Sequence, residues 1–208
     1  MPRRARVSPE KILAAAAREF AQRGYAGARV DRIARLARVN KAMLYYHFGS
    51  KQELYRHLLR HTFGAVAADL EAIAASSQPH SARLHAAVTA LARFVETRAY
   101  FPSIMLREVA EGGTHLDAET LAALAAVPRS FAAILKPGVD AGHFRPIHPL
   151  AAYFTSIAPI LMFVASAPLR KRILAHGPMP GGGHALELPA FLADFEASLQ
   201  RAFASATA

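Results

Sequence analysis

The stretch that decides the fold is VDRIARLARVNKAMLYYHFGSKQE, which runs from Val30 to Glu53. Its first eight residues carry apolar side chains at intervals of three and four, the spacing that places them on one face of a helix. Asn40 can cap a second helix by accepting a hydrogen bond from a free backbone N–H group at its start. Gly49 ends that helix, because glycine adopts the left-handed conformation at low cost. The pattern predicts two short helices joined by a tight turn.

The second of these helices has two different faces. Leu44 and Phe48 lie one turn apart and are predicted to face inward. Ser50 to Glu53 reads as a capping box, so a third helix is expected to start at once. Two short helices, the second with basic and aromatic residues outward, are typical of a helix-turn-helix whose recognition helix is Asn40–Phe48. The residues left to cover its outer side are Lys41, Ala42, Met43, Tyr45, Tyr46 and His47.

The net charge of +10 is unevenly distributed. Residues 1–60 hold 14 Lys and Arg against 4 Asp and Glu, whereas residues 61–208 hold 11 of each. All of the excess positive charge therefore lies on the segment that carries the predicted helix-turn-helix. A run of charge is often no more than a solvated face, but its coincidence with a recognition helix favours a surface that binds phosphates.

The same block resembles the DNA-binding domain of the TetR (tetracycline-repressor-like) regulators over about the first quarter of the chain. The resemblance rests on Gly24-Tyr25, Ile33-Ala34, Leu44-Tyr45-Tyr46-His47-Phe48 and Ser50-Lys51. It implies an all-α fold, with a three-helix DNA-binding domain at residues 1–52 and a helical effector-binding and dimerisation domain at residues 53–208. It also implies a ligand-responsive regulator, most often a repressor.

Three positions depart from the family pattern. Ala28 stands where the family usually has a threonine that caps a helix and touches phosphate. Arg38 stands in the turn where glycine is usual, and left-handed geometry costs about 1–2 kcal/mol for another residue. Asn40 replaces a serine, which is harmless because both residues cap well.

The predicted DNA contacts follow from these positions. Lys41 can donate to guanine edges, and Ala42 or Met43 can contact thymine methyl groups. Tyr45, Tyr46 and His47 are expected to bind the phosphate backbone. Arg29 and Lys51, near helix N-termini, and the capping residue Asn40 complete the predicted set.

The remainder of the chain predicts only helices. They are expected at 50–76, 81–98, 101–111, 116–141, 150–169 and 188–204, and the loop GPMPGGG lies between the last two. The uncharged stretch Leu150–Leu169 is long enough to span a membrane. Its proline, serine and alanine content favours a buried interface helix instead. The absence of cysteine fits a cytoplasmic location.

The middle helices are predicted to enclose a pocket for a small, mostly apolar effector, because helical bundles place ligand sites between helices. The candidate lining residues are Phe94, Tyr100, Phe101, Met105, Glu108, Phe131, Tyr153 and Met162. For Glu108 the alternative is a solvated face shared with Arg107 and Glu111. The two last long helices predict a homodimer interface through Ile157, Leu161, Phe191, Phe195 and Leu199.

Neither a metal site nor a cofactor site is predicted. His57 and His61 have a spacing that can hold a metal, but the sequence signals no third ligand nearby. Hydrolase and nucleotide-binding motifs are missing, so no catalytic residue is predicted. The predicted partners are double-stranded DNA with a palindromic operator, a small effector and a second copy of the chain. Two alternatives stay open: an architectural DNA-binding protein without an effector, and a helical enzyme with a basic surface.

Overall fold

A computed structural model describes residues 8–177 and 186–205, and within them the protein is all-α, as predicted. An isolated bridge pairs Phe144 with Ala204. The helices are α1 (Pro9–Gly27), α2 (Val30–Ala37), α3 (Lys41–Phe48), α4 (Lys51–Ala74), α5 (His80–Thr97), α6 (Phe101–Ala110), α7 (Ala118–Asp140), α8 (Pro149–Ala165), α9 (Ala167–Leu174) and α10 (Leu188–Phe203). Most of the loop GPMPGGG and the basic residues before Ser8 lie outside the described part.

The chain divides into two compact units. Unit 1 consists of the chain up to Phe63 together with Ser103–Leu124, and unit 2 consists of Gly64–Pro102 and the chain from Ala125 onward. This division differs from the predicted boundary at residue 52, which falls at the start of α4. The reason is that the segment 103–124 packs with the N-terminal helices, a long-range pairing that no local pattern reports.

Unit 1 is built around the apolar faces of its first helices. Phe20 of α1, Ile33 of α2 and Leu44 of α3 are fully buried. The long helix α4 adds Leu54 and Tyr55 to the same unit, and the Tyr55 ring packs edge-on against Phe20 at 4.7 Å between ring centroids. Burying such side chains contributes roughly 1.5–3 kcal/mol each. This core fixes the positions of α2 and α3.

Unit 2 is a helical layer in which α5 packs against α8 and α10. Its core includes Leu91 and Val95 of α5, Phe131 of α7 and Ile160 of α8. The last helix contributes Leu199 and Phe203, both buried.

Two predicted helices need correction. The single helix predicted at 150–169 is two helices, α8 and α9, bent by 53°. Pro168 explains the break, because it has no N–H group and its ring clashes with the carbonyl of the preceding turn. Helix α1 begins at Pro9 as predicted, but the Ser8 hydroxyl donates to the Glu10 carboxylate rather than accepting from a backbone N–H group.

Within the described residues, α7 is long and apolar enough to cross a membrane by length and composition, as is the bent pair α8 and α9 taken together. Helices buried in a protein core can have the same length and apolar composition. In α7, the side chains of Val127, Phe131, Ile134 and Leu135 are buried against the rest of the protein.

Candidate functional site

The candidate site is the outer side of α3. Its start is fixed by Asn40, whose side chain accepts a hydrogen bond from the Met43 N–H group at 2.7 Å. Its end is fixed by Gly49 at φ +73°, where a residue with a side chain would be strained. Leu44 and Phe48 face the core of unit 1, as predicted. The helix-turn-helix prediction is confirmed at both helices and at both ends of α3.

The outward residues of α3 are exposed. Tyr46 is 82% exposed and Tyr45 is 42% exposed, so both aromatic side chains are accessible to a partner. The rings of Tyr46 and His47 lie 5.3 Å apart in an edge-on contact. Lys41 and Ala42 are exposed as well, and Met43 is half-buried. Helix α3 thus presents one donor-rich and aromatic face away from the core.

Lys41 forms an ion pair with Asp31 of α2, with 2.9 Å between Nζ and Oδ1. The hydrogen bond and the opposite charge raise the pKa of Lys41 and lower that of Asp31. Both side chains are about half exposed, and an exposed ion pair of this kind is worth little. The Lys41 ammonium group also lies 5.9 Å from the Tyr45 ring centre. Such a weakly held cation remains free to turn toward another partner.

The turn before α3 has the strained residue that the sequence predicts. Arg38 adopts φ +57° and ψ +42°, the left-handed conformation. The next residue completes the helix end, because the Val39 N–H group donates to the carbonyl oxygen of Ala34 at 2.9 Å. The Arg38 side chain is exposed beside α3, so this position adds a cation next to the candidate surface.

Arg29 is exposed at the start of α2, and its backbone N–H group donates to Glu19 Oε1 at 3.2 Å. Glu19 is 2% exposed and lies 3.5 Å from Arg23 and 3.9 Å from Arg32. This buried carboxylate orients the N-terminus of α2, and our sequence analysis missed it. A glutamate inside the otherwise apolar stripe of α1 was the available signal.

Lys51 makes its contacts within unit 1. Its ammonium group donates to the main-chain carbonyl oxygens of Tyr25 and Ala28 at 2.9 and 3.3 Å. It also lies over the Tyr25 ring. The predicted phosphate contact by Lys51 remains a prediction, but two of the three N–H donors are already engaged within unit 1.

The predicted pocket residues do not form one group. Phe94 packs edge-on against Phe101, and Phe131 against Tyr153, all within unit 2. Tyr100 is half-buried in that unit, and Met162 is 55% exposed, so Met162 faces solvent in this chain. Met105 and Glu108 belong to unit 1. Glu108 is 2% exposed, which also corrects the alternative of a solvated face.

A groove of about 600 Å³ does occur in unit 2, between α4 and α5. Its floor contains Ala82, Ala86 and Ala90, which are spaced at one helical turn, and Phe94 is the only predicted pocket residue that lines it. Its remaining lining residues are Asp69, Ala72, Ile73, Gln78, His85, Thr89, Arg93, Thr97 and Arg98.

The residues predicted for the dimer interface differ in burial. Ile157, Leu161, Phe191 and Phe195 are half-buried, whereas Leu199 is 3% exposed and belongs to the core of unit 2. Leu199 is therefore unsuitable for an interface. Phe191 stacks on Phe163 at 4.2 Å and on Phe195 at 5.7 Å. Larger apolar exposure occurs elsewhere, at Leu150, Phe154, Met162, Leu169 and Ile173 of α8 and α9.

The two histidines weighed as metal ligands, His57 and His61, are exposed on α4. The His57 ring packs against Phe48, and burial lowers its pKa. Neither belongs to a cluster of three ligand-type residues in the described part of the chain.

Fold and surface together define a helix-turn-helix protein. Residues 12–58 match the model of the bacterial regulatory proteins of the tetR family. The chain is 30% identical over 175 residues to the HTH-type transcriptional regulator RutR of Escherichia coli (strain K12), a match that covers 78% of this chain and 80% of RutR. The protein belongs to the TetR family.

Two further similar proteins cover very different shares of this chain. The HTH-type transcriptional repressor SCO4008 of Streptomyces coelicolor is 51% identical over 49 residues, which are 24% of this chain and 26% of that repressor's length. The solved structure of the putative transcriptional regulator SCO4942 from Streptomyces coelicolor has a TM-score of 0.68 and 26% identity. It covers 93% of this chain and 97% of that one. Transcriptional regulators of this kind are not enzymes.

Proposed function

We propose that this protein is a cytoplasmic one-component transcription regulator that acts as a repressor. It binds a palindromic operator in double-stranded DNA and leaves it when a small, mostly apolar effector binds. The observation that carries the proposal is the two-sided α3: Leu44 and Phe48 are buried, while Tyr46 is 82% exposed. The repressor function of SCO4008, whose matched region is confined to a quarter of its length, agrees with it.

The outer face of α3 supplies both kinds of DNA contact. In this proposal Lys41 and Ala42 at the helix start read base edges, because recognition helices enter the major groove with their N-terminal residues. Tyr45, Tyr46 and His47 bind the phosphates. The positive charge of residues 1–60 supports binding to the phosphate backbone of DNA whatever its base sequence.

The effector site we propose is the groove between α4 and α5. Its volume lies in the range typical of small-molecule sites, roughly 300–1,000 Å³. The alanines at 82, 86 and 90 and the Phe94 ring form an apolar floor, while Arg93 and Arg98 stand at one end. This supports an effector with an apolar body. An architectural DNA-binding protein would not need such a groove.

Operator binding is tested by a gel shift with a palindrome taken from beside the gene. Tyr46→Ala is expected to weaken binding about tenfold or more, because a hydrogen bond to a charged group is worth about 1.5–3 kcal/mol. The matched control is Tyr100→Ala, which removes a half-buried tyrosine from unit 2. Equal affinity of wild type and Tyr46→Ala would contradict the assigned face.

The groove is tested by filling it. Ala86→Trp is expected to abolish the response to candidate effectors in the same gel shift, while ligand-free operator binding stays within twofold of wild type. Glu119→Trp, at an exposed position of unit 1, controls for the added bulk. A full effector response in Ala86→Trp would place the effector elsewhere.

A further inference from the structure

A second candidate site lies in unit 1, at the turn that follows α6. The Gly113 N–H group donates to the carbonyl oxygen of Glu108 at 2.8 Å, which ends the helix. Gly112 and Gly113 adopt φ +68° and +72°. Residues other than glycine rarely adopt this backbone conformation. The chain is thereby reversed, and His115 returns beside the last turn of α6.

The reversal brings one imidazole and two carboxylates together. His115 Nδ1 lies 2.9 Å from Glu108 Oε1 and 3.4 Å from Glu111 Oε2. One ligand atom from each of the three side chains lies within 4.8 Å of the others. Two ligand atoms bound to one ion at about 2.0–2.2 Å lie at most about 4.4 Å apart, and both separations from His115 Nδ1 fall below that limit.

Burial makes Glu108 an unusual member of the cluster. Only 2% of its surface is exposed, yet Oε2 has no hydrogen-bond partner among the described residues. Oε1 accepts from the Tyr55 hydroxyl at 2.6 Å. A buried carboxylate oxygen without a partner is costly, and buried charges are normally paired or coordinate metals.

We propose that Glu108, Glu111 and His115 bind a divalent transition-metal cation such as Zn²⁺. The two carboxylates balance the charge of the ion, and an imidazole with carboxylates is a donor set that zinc accepts. Imidazole disfavours Mg²⁺, which prefers oxygen ligands and retained water. Glu111 is half-exposed, which gives the ion an entry path from solvent.

The surrounding residues fit the same role. The Tyr55 hydroxyl orients the Glu108 carboxylate through Oε1, while Oε2 has no hydrogen-bond partner among the described residues. Arg56 Nε donates to the main-chain carbonyl oxygen of His115 at 3.1 Å, which holds the turn. Hydrogen bonds to the ligands are a regular feature of metal sites, and losing one costs about 10–100-fold in affinity.

The competing arrangement contains no metal: the His115 imidazole simply contacts the two carboxylates. Zinc binding distinguishes the two, and it does not depend on the proposed DNA binding. The full chain is stripped with a chelator, and Zn²⁺ alone is titrated by calorimetry, with bound metal per chain counted after desalting. We expect one ion per chain and a raised Tm, since binding to the folded state stabilises it.

The decisive variant is Glu111→Gln, because this half-exposed side chain can change without disturbing the core. It and His115→Gln are expected to weaken zinc binding more than tenfold, and Tyr55→Phe about tenfold. Two controls should bind as wild type does: His85→Gln, whose imidazole faces one carboxylate, Glu196, at 3.0 Å, and His61→Gln on α4.

Three results would overturn the site. They are wild type that binds no zinc at micromolar concentration, unchanged affinity in both Glu111→Gln and His115→Gln, and loss of zinc in His61→Gln alone. Displacement of zinc by equimolar Mg²⁺ would equally contradict the role of the imidazole.

Discussion

The ammonium group of Lys51 lies 2.9 Å from the main-chain carbonyl oxygen of Tyr25 and 4.5 Å from the centre of the Tyr25 ring. A second hydrogen bond reaches the carbonyl oxygen of Ala28 at 3.3 Å. One side chain at the start of α4 therefore holds the turn between α1 and α2. This turn leads directly into the helix-turn-helix, so Lys51 stabilises the unit that carries α3.

Lys51→Ala is expected to lower the free energy of unfolding by about 1–3 kcal/mol, because two partly buried carbonyl oxygens lose a charged donor. Denaturant unfolding measures it. The control is Lys136→Ala, which removes a surface pair with Asp140 and is expected to change stability by less than about 1 kcal/mol.

The same variant addresses the phosphate contact predicted for Lys51. If Lys51 also touches DNA, the slope of log affinity against log salt becomes shallower by about one. A stability loss with an unchanged slope would assign Lys51 to the turn alone.

A second prediction concerns Gly24, the residue before Tyr25. It adopts φ +69°, and an added Cβ atom would lie 2.6 Å from Nη1 of Arg107. Gly24→Ala is expected to destabilise the protein by about 1–3 kcal/mol, because φ +69° with ψ 176° is a backbone conformation that only glycine adopts readily. The Arg107 side chain must move in addition.

Gly64→Ala is the matched control within α4, where an added Cβ meets nothing within 4 Å. It should stabilise the protein by about 0.4–1 kcal/mol, because alanine loses less backbone freedom on folding than glycine. Thermal melts of the two variants should shift in opposite directions. A lowered Tm in both would contradict the assigned backbone roles.

The helix-turn-helix could be predicted from sequence because its determinants are local. The cap at Asn40, the stop at Gly49 and the inward pair Leu44 and Phe48 all act within one or two helical turns. The strained Arg38 was predictable for the same reason, since the turn requires a left-handed residue at that position.

Contacts between distant residues could not be predicted. Tyr55 and Glu108 are 53 residues apart, and only the packed structure shows that the carboxylate is buried under the phenol. Similarly, the predicted pocket residues were chosen as aromatics at helical spacing, which does not reveal the unit to which each belongs. The break at Pro168 has a local signal, the proline itself, although the surrounding stretch is apolar enough to predict one continuous helix.

The third prediction uses Arg38, whose left-handed conformation adds strain beside the candidate DNA surface. Arg38→Gly is expected to raise the free energy of unfolding by about 0.5–1 kcal/mol, the strain relieved minus the greater chain entropy of glycine. It should also weaken binding to nonspecific DNA, because one cation near the phosphates is lost.

Arg38→Asn separates these two effects. Asparagine tolerates the left-handed region better than most residues but lacks the charge. Its DNA affinity should fall as far as that of Arg38→Gly, whereas its stability should rise less. Unchanged nonspecific affinity in both variants would show that Arg38 lies away from the phosphates.

The final prediction concerns the homodimer that the sequence predicts. On α8, Leu150, Phe154, Ile157 and Leu161 recur at intervals of four and three, so they share one face. Phe154 is 56% exposed and Leu150 is 45% exposed, which leaves an apolar stripe in water in the single chain. A contiguous exposed stripe of this kind is typical of a protein–protein interface, and we propose that a second copy of the chain covers it by twofold symmetry.

Phe154→Asp is expected to convert the dimer to a monomer at micromolar concentration, because a dimer would bury the new charge without a partner. Since the side chain is exposed in one chain, the fold should survive, and its circular dichroism should match that of wild type. Leu121→Asp, which replaces another half-exposed leucine in unit 1, is the control and should leave the mass unchanged. Light scattering measures both masses. A monomeric wild type, or a dimeric and folded Phe154→Asp, would rule out this face of α8 as the interface.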